Sequence, residues 1–168
     1  MDRRTKGPVC SDDFQTSVDG IYSCGNALHV NDLVDYVTES GRMAGYYAAH
    51  HDDGRKGSYV GLVPDRTLLY VVPQKLVLDG RKKSVIYFRS SKVLDKSVIQ
   101  FRAFGEVIYE KKYQRLKPPE MERLEIPLDK FRGSPELING NGILDRYEDW
   151  RLPVEERVAA SSTFLSNR

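Results

Sequence analysis

Residues 15–49 read QTSVDGIYSCGNALHVNDLVDYVTESGRMAGYYAA, and two periods meet inside them. Gly20 to Cys24 is a short apolar run of strand type, and Gly25-Asn26 is a turn signal. From Asn31 to His51 the residues Leu33, Tyr36, Val37, Met43, Ala44 and Tyr47 recur at helical spacing. Asn31 or Asp32 is the expected N-cap, and Asp35 adds negative charge to the first turn. Gly41 and Gly45 each cost a helix about 1 kcal/mol relative to Ala, so their presence predicts close packing of the helix under a larger body. A strand that enters a helix through glycine is a phosphate-handling geometry. The small residue lets backbone approach a ligand, and the helix start offers N–H groups at its positive end.

Beyond Gly57 the period changes. Tyr59–Val63, Leu68–Val72, Lys75–Leu78, Ser84–Phe88, Ser97–Phe101, Glu106–Tyr109 and Arg123–Ile126 are short, β-branched and aromatic-rich, with turn residues between them. Asp79-Gly80 predicts a hairpin, and Pro73 predicts a strand end or an edge. Leu124, Ile126 and Leu128 alternate with Arg123, Glu125 and Pro127, which gives the last strand one buried and one wet face. The expected fold class is α+β: a strand-turn-helix piece over residues 1–56, a small antiparallel β-sandwich or barrel-like domain over 57–130, and a loop-rich tail over 131–168. Met1 to Asp13 reads as a punctuated loop-like entry.

Composition excludes several function classes. Lys and Arg number 26 against 24 Asp and Glu, mixed along the chain, so no strong field is expected to draw nucleic acid or anionic lipid. No apolar run approaches the ~18 residues of a spanning helix, and the first residues lack the apolar segment of a signal peptide, so a cytoplasmic protein without a membrane partner is expected. Cys10 and Cys24 have neither redox-pair nor zinc spacing, and Cys24 reads as a small buried hydrophobe. Arg81-Lys82-Lys83 reads as a solvated turn rather than a phosphate patch. His50-His51-Asp52-Asp53 is consecutive rather than convergent and reads as a solvated helix end rather than a metal cluster.

Thr16, the run Ile21-Tyr22-Ser23-Cys24, the pair Gly25-Asn26 and the helix ending Ala44-Gly45…Ala48-Ala49 resemble, in that order, the second flavin contact of the flavoprotein disulfide-reductase superfamily. The wording GNALHVNDLVDYV, with Asn26 where most members carry Asp, resembles a subgroup described as NAD(FAD)-dependent dehydrogenases. YVVPQKLVL, VIYFRS and KPPEMERLEIPL resemble that subgroup's β-rich C-terminal region, so the similarity runs over about residues 5–128. The resemblance implies that residues 1–56 are a C-terminal remnant of an FAD-binding domain. It implies flavin contacts at Gly25, Asn26, Val34 and Asp35, with His29 in the loop that passes near the flavin. The Gly-x-Gly-x-x-Gly that would hold the FAD pyrophosphate is absent from the sequence, so the chain is expected to lack the first dinucleotide site and the nicotinamide domain. It is expected to be inactive alone and not to retain FAD. The apolar helix face then predicts self-association or capture of the missing flavin domain.

FRGSPELINGNGILDRYEDWRLPVEERVAA, over about residues 131–160, resembles the N-terminal start of family 3 glycoside hydrolases without their catalytic barrel. Counted from Leu137, the residues Asn139, Asn141, Asp145 and Glu148 fall at positions 3, 5, 9 and 12 of an EF-hand-like loop. Leu137 stands where the first Asp belongs, so a weak, empty site is expected, and calcium is not. The alternatives to the oxidoreductase reading are a non-enzymatic β-rich binding or interaction module and a carbohydrate-associated protein with a β-glucosidase-like tail.

Overall fold

The computed structural model describes residues 1–51, 59–103, 106–129 and, by backbone alone, 159–164. A 3-10 turn at Gly25–Ala27 leads to the helix α1, Val34–Ala49. The strands follow: β1 Tyr59–Gly61, β2 Val63–Pro64, β3 Leu68–Val72, β4 Lys75–Val77, β5 Lys83–Ser90, β6 Leu94–Ala103, β7 Glu106–Leu116, β8 Glu122–Pro127 and β9 Ala159–Phe164. They form a two-stranded sheet β1-β4, a four-stranded sheet β2-β9-β6-β7 and a three-stranded sheet β3-β5-β8. Every pairing is antiparallel except β2 with β9. The fold is therefore α+β and rich in sheet, and no helix among the described residues is long and apolar enough to cross a membrane.

Alternation along the strands builds the core. Val60 and Leu76 from the two-stranded sheet, Leu68, Val71, Ile86, Phe88, Leu124 and Ile126 from the three-stranded sheet, and Leu94, Ile99, Phe101 and Leu116 from the four-stranded sheet share one apolar cluster. Each such side chain, fully buried, stabilises the fold by about 1.5–3 kcal/mol. β5 is buried on both faces. Ile86 and Phe88 enter that cluster, while the opposite parity, Val85, Tyr87 and Arg89, faces away from it. On this second face Tyr70 and Val72 pack with Cys10 and Leu28, and the three-stranded sheet is covered there by α1 and the segments that precede it.

Beyond Gly57 the expected strand segments are present, with residues 59–63 split between β1 and β2 in different sheets, but the first expected strand and several connections differ from expectation. Gly20 to Cys24 is not a sheet strand: it folds back on residues 14–16 as a narrow ribbon, with Thr16 N–H donating to Ile21 O at 2.7 Å and Ser23 N–H to Phe14 O at 3.0 Å. Its bend is set by Gly20 at φ +73°. Neither Asn31 nor Asp32 caps α1, whose N-cap is Leu33. The side chain of Asn31 is held by His29 O and Asn26, and the Asp32 carboxylate is taken by Arg89 and by the Met121 N–H. Asp79-Gly80 is a turn without a hairpin, because β4 pairs with β1 while β5 pairs with β3 and β8. Arg81 in that turn is not solvated: it lies over the Tyr47 ring at 4.9 Å and hydrogen-bonds Asp79. β3 does end at Val72, before Pro73.

Candidate functional site

The turn after Cys24 is built by its glycine. Gly25 has φ +57°, a conformation that side chains resist, and a Cβ there would meet Val37 Cγ1 at 3.1 Å. Its buried N–H donates to Ser40 Oγ at 2.9 Å, and Ser40 in turn donates to Val37 O at 2.8 Å. The turn is thus pinned to the second turn of α1. Asn26 stays on the surface, where its Oδ1 accepts from the Asn31 N–H at 3.1 Å and from Asn31 Nδ2 at 3.4 Å. Val34 and Asp35 open α1 and are exposed.

The structure separates His29 from this surface group. His29 is 3% exposed, with its ring 5.4 Å from Tyr87 and 5.9 Å from Tyr70, and its Nδ1 is buried without a hydrogen-bond partner. Burial, with the Arg89 cation adding to it, pushes the imidazole down to about 4. It is a neutral core histidine beneath the sheet-facing side of the loop.

Around it lies a polar and aromatic layer that ties loop and helix to the three-stranded sheet. Arg89 donates to Tyr70 Oη at 2.7 Å and to Val30 O at 3.3 Å, and also reaches Asp32 and the carbonyl of Pro119. Asp32 completes the link by accepting the Met121 N–H at 2.6 Å. In the second turn of α1, Glu39 accepts from Arg123 Nη2 at 2.7 Å, Arg123 Nε at 3.0 Å and the Tyr87 hydroxyl at 2.9 Å. The two-pronged Arg123 contact holds the Glu39 carboxyl below its usual range, against partial burial that acts the other way. Sequence reasoning did not single out these residues. The signal was the parity of β5, which sets Tyr87 and Arg89 on one face and Ile86 and Phe88 on the other.

Beside this layer, a slot of about 70 Å3 opens between α1 and the sheet, lined by Met43, Val72, Val85, Phe14 and Cys10 together with Glu39, Tyr87 and Asp12. Asp12 is buried; its Oδ1 accepts the Val77 N–H at 2.7 Å and its Oδ2 lies 3.4 Å from Arg81. Burial raises the Asp12 carboxyl, with Arg81 opposing. Burial also raises the Cys10 thiol, with Asp13 and Asp12 adding to it, to about 12, so this sulfur is a core atom and not a nucleophile. Cys24 is half-buried.

The expected calcium-loop residues Asn139, Asn141, Asp145 and Glu148 lie outside the described residues. Among the described residues no group of three or more His, Cys, Asp and Glu is placed to hold a metal ion. His50 is exposed, with Nδ1 2.7 Å from Tyr46 O, and His51 turns toward Tyr22 and Gln15. No family model, curated protein or solved structure matches the chain.

Proposed function

We propose that residues 5–128 form the C-terminal part of an FAD-dependent, NAD(P)H-linked oxidoreductase, in which the Gly25-Asn26 turn and the start of α1 make one edge of a flavin site. The carrying observation is the uncovered surface at that place. Asn26 and Asp35 are exposed, and the apolar Val30, Leu33 and Val34 stand 65%, 52% and 79% exposed. Apolar side chains left in water beside a polar turn suit a surface that another body covers. The residues present fit one edge of the cofactor only. The Asn26 amide and the N–H groups at Val34 and Asp35 would meet the ribitol chain and the pyrimidine side, whereas the chain has no Gly-x-Gly-x-x-Gly for the pyrophosphate. Bound FAD supplies the redox chemistry, and these residues position it. In this reading residues 1–56 are the remnant of the flavin-binding domain and the sheets that follow are a sandwich-like scaffold, within a cytoplasmic protein.

A second reading, a non-enzymatic β-rich binding module, is favoured by the way α1 is held. Glu39, Tyr87 and Arg123 fasten the helix to the chain's own sheet, so the helix is covered on that side without a further domain. An amide-resolved NMR titration with millimolar FAD separates the two. The oxidoreductase reading expects shifts confined to Gly25, Asn26, Val34 and Asp35 that vanish in Asn26→Ala. Absent shifts, or shifts spread over the sheets, would favour the binding module.

A further inference from the structure

A second concavity, away from the helix start, lies between the N-terminal ribbon and the two-stranded sheet. Its volume is about 190 Å3, smaller than the roughly 300–1,000 Å3 of drug-sized pockets. Its walls belong to fixed backbone. Cys10 O accepts from the N–H groups of Gln74 and Lys75 at 3.0 and 3.2 Å, and the Cys10 N–H returns a bond to Gln74 Oε1 at 3.0 Å. The rim carries Gln15, Ser17 and Asp19 from the ribbon, and Tyr59 and Lys75 from β1 and β4.

The polar heads on this rim are only partly used. Gln15 Nε2 donates to Asp19 Oδ1 at 2.9 Å and lies 3.4 Å from His51 Nδ1. With that nitrogen committed, Gln15 Oε1 is left as an acceptor. Among the described residues Ser17 Oγ, Asp19 Oδ2 and Lys75 Nζ have no hydrogen-bond partner, and Lys75 Nζ stands 5.9 Å from the centre of the Tyr59 ring. The cleft therefore offers acceptors from an amide and a carboxylate, a hydroxyl that does both, an ammonium donor and an aromatic wall. Lys75 and Asp19 are its cation and anion, and His51 Nε2 stands 3.7 Å from Asp19 Oδ1. A small anion would face Asp19, and a small cation would face Lys75.

A neutral ring bearing several hydroxyl groups satisfies all of these heads at once, because each hydroxyl both donates and accepts while the C–H face packs on the aromatic wall. The geometry points to a binding site for a single neutral monosaccharide, a hexopyranose, in the cleft formed by Gln15, Ser17, Asp19, Tyr59 and Lys75. This site is independent of the flavin reading and shares no residue with it.

Saturation-transfer NMR on the whole chain with D-glucose, D-galactose and D-mannose tests the proposal, with inorganic phosphate observed through its phosphorus linewidth as the anion arm. The expected result is millimolar binding of at least one hexose, no phosphate broadening, and an affinity at least tenfold weaker in Asp19→Ala and Ser17→Val. Both positions are exposed, so the variants are expected to fold, and their melting curves verify it. Absence of transfer to any hexose, binding of phosphate instead, or hexose binding unchanged in both folded variants would overturn it.

Discussion

At the scale of single residues, His29 makes the fold sensitive to acid. Its native value of about 4 lies below the ordinary 6.5, so between those values the unfolded chain takes up a proton that the native chain refuses. Stability from this residue is therefore complete above about pH 6.5 and falls as pH drops toward about 4, by an amount on the order of 3 kcal/mol. The groups facing the ring are Tyr70, Tyr87, Arg89 and Asp32. Urea midpoints across this range should show a slope that His29→Leu removes, and an unchanged slope in that variant would place the acid sensitivity elsewhere. Ser40 makes a complementary case. Ser40→Ala leaves the buried Gly25 N–H without its acceptor, and a loss of about 1–3 kcal/mol is expected in chemical denaturation. Neither role was readable in advance. A loop histidine and a helical serine look alike in sequence whether they face water or core, and only the backbone path through Gly25 decides.

At the scale of elements, the clasp of Glu39 with Arg123 and Tyr87 joins α1 to β5 and β8. Both ionic side chains are 30% exposed, so the pair contributes less than a dry one would. A double-mutant cycle with Glu39→Gln and Arg123→Met should give a coupling of about 1 kcal/mol. A coupling indistinguishable from zero would mean that apolar contacts alone seat the helix. Because the Glu39 carboxyl is held below its usual range, its contribution is present at neutral pH and is lost only as acid protonates it. The strands themselves were legible, since β-branched and aromatic runs such as Ser84–Phe88 fit pleated, buried positions and little else. Their pairing was not. Asp79-Gly80 carries the local signal of a hairpin, yet the core seats β4 against β1 and leaves β5 for β3 and β8. The helix start was misplaced for a related reason: Asn31 and Asp32 have capping side chains, but distant partners, Arg89 and Met121 among them, draw Asp32 away.

At the scale of the whole molecule, the apolar helix face expected to lie open is mostly turned inward: Ala44 is buried, and Tyr36, Met43 and Tyr47 are half-buried. What remains outside is Val34 and Tyr46 on the helix, with Val30 and Leu33 just before it forming an apolar group with Val34. If the chain associates, this surface should drive it. Sedimentation over a concentration series is expected to show self-association that Leu33→Ser with Val34→Ser weakens; association untouched by these changes would point to another face. The N-terminal residues carry a different kind of consequence. Cys10 and Asp12 are bound to Gln74 and Val77, partners 64 and 65 residues further along the chain. At about 5–20 residues per second of synthesis, these first segments leave the ribosome roughly 3–13 seconds before their partners are made. Asp12 and the Cys10 amide must spend that time in water or on a chaperone. Docking of this ribbon is thus a late event in the birth of this protein, completed only once partners some 64 and 65 residues further along have been made.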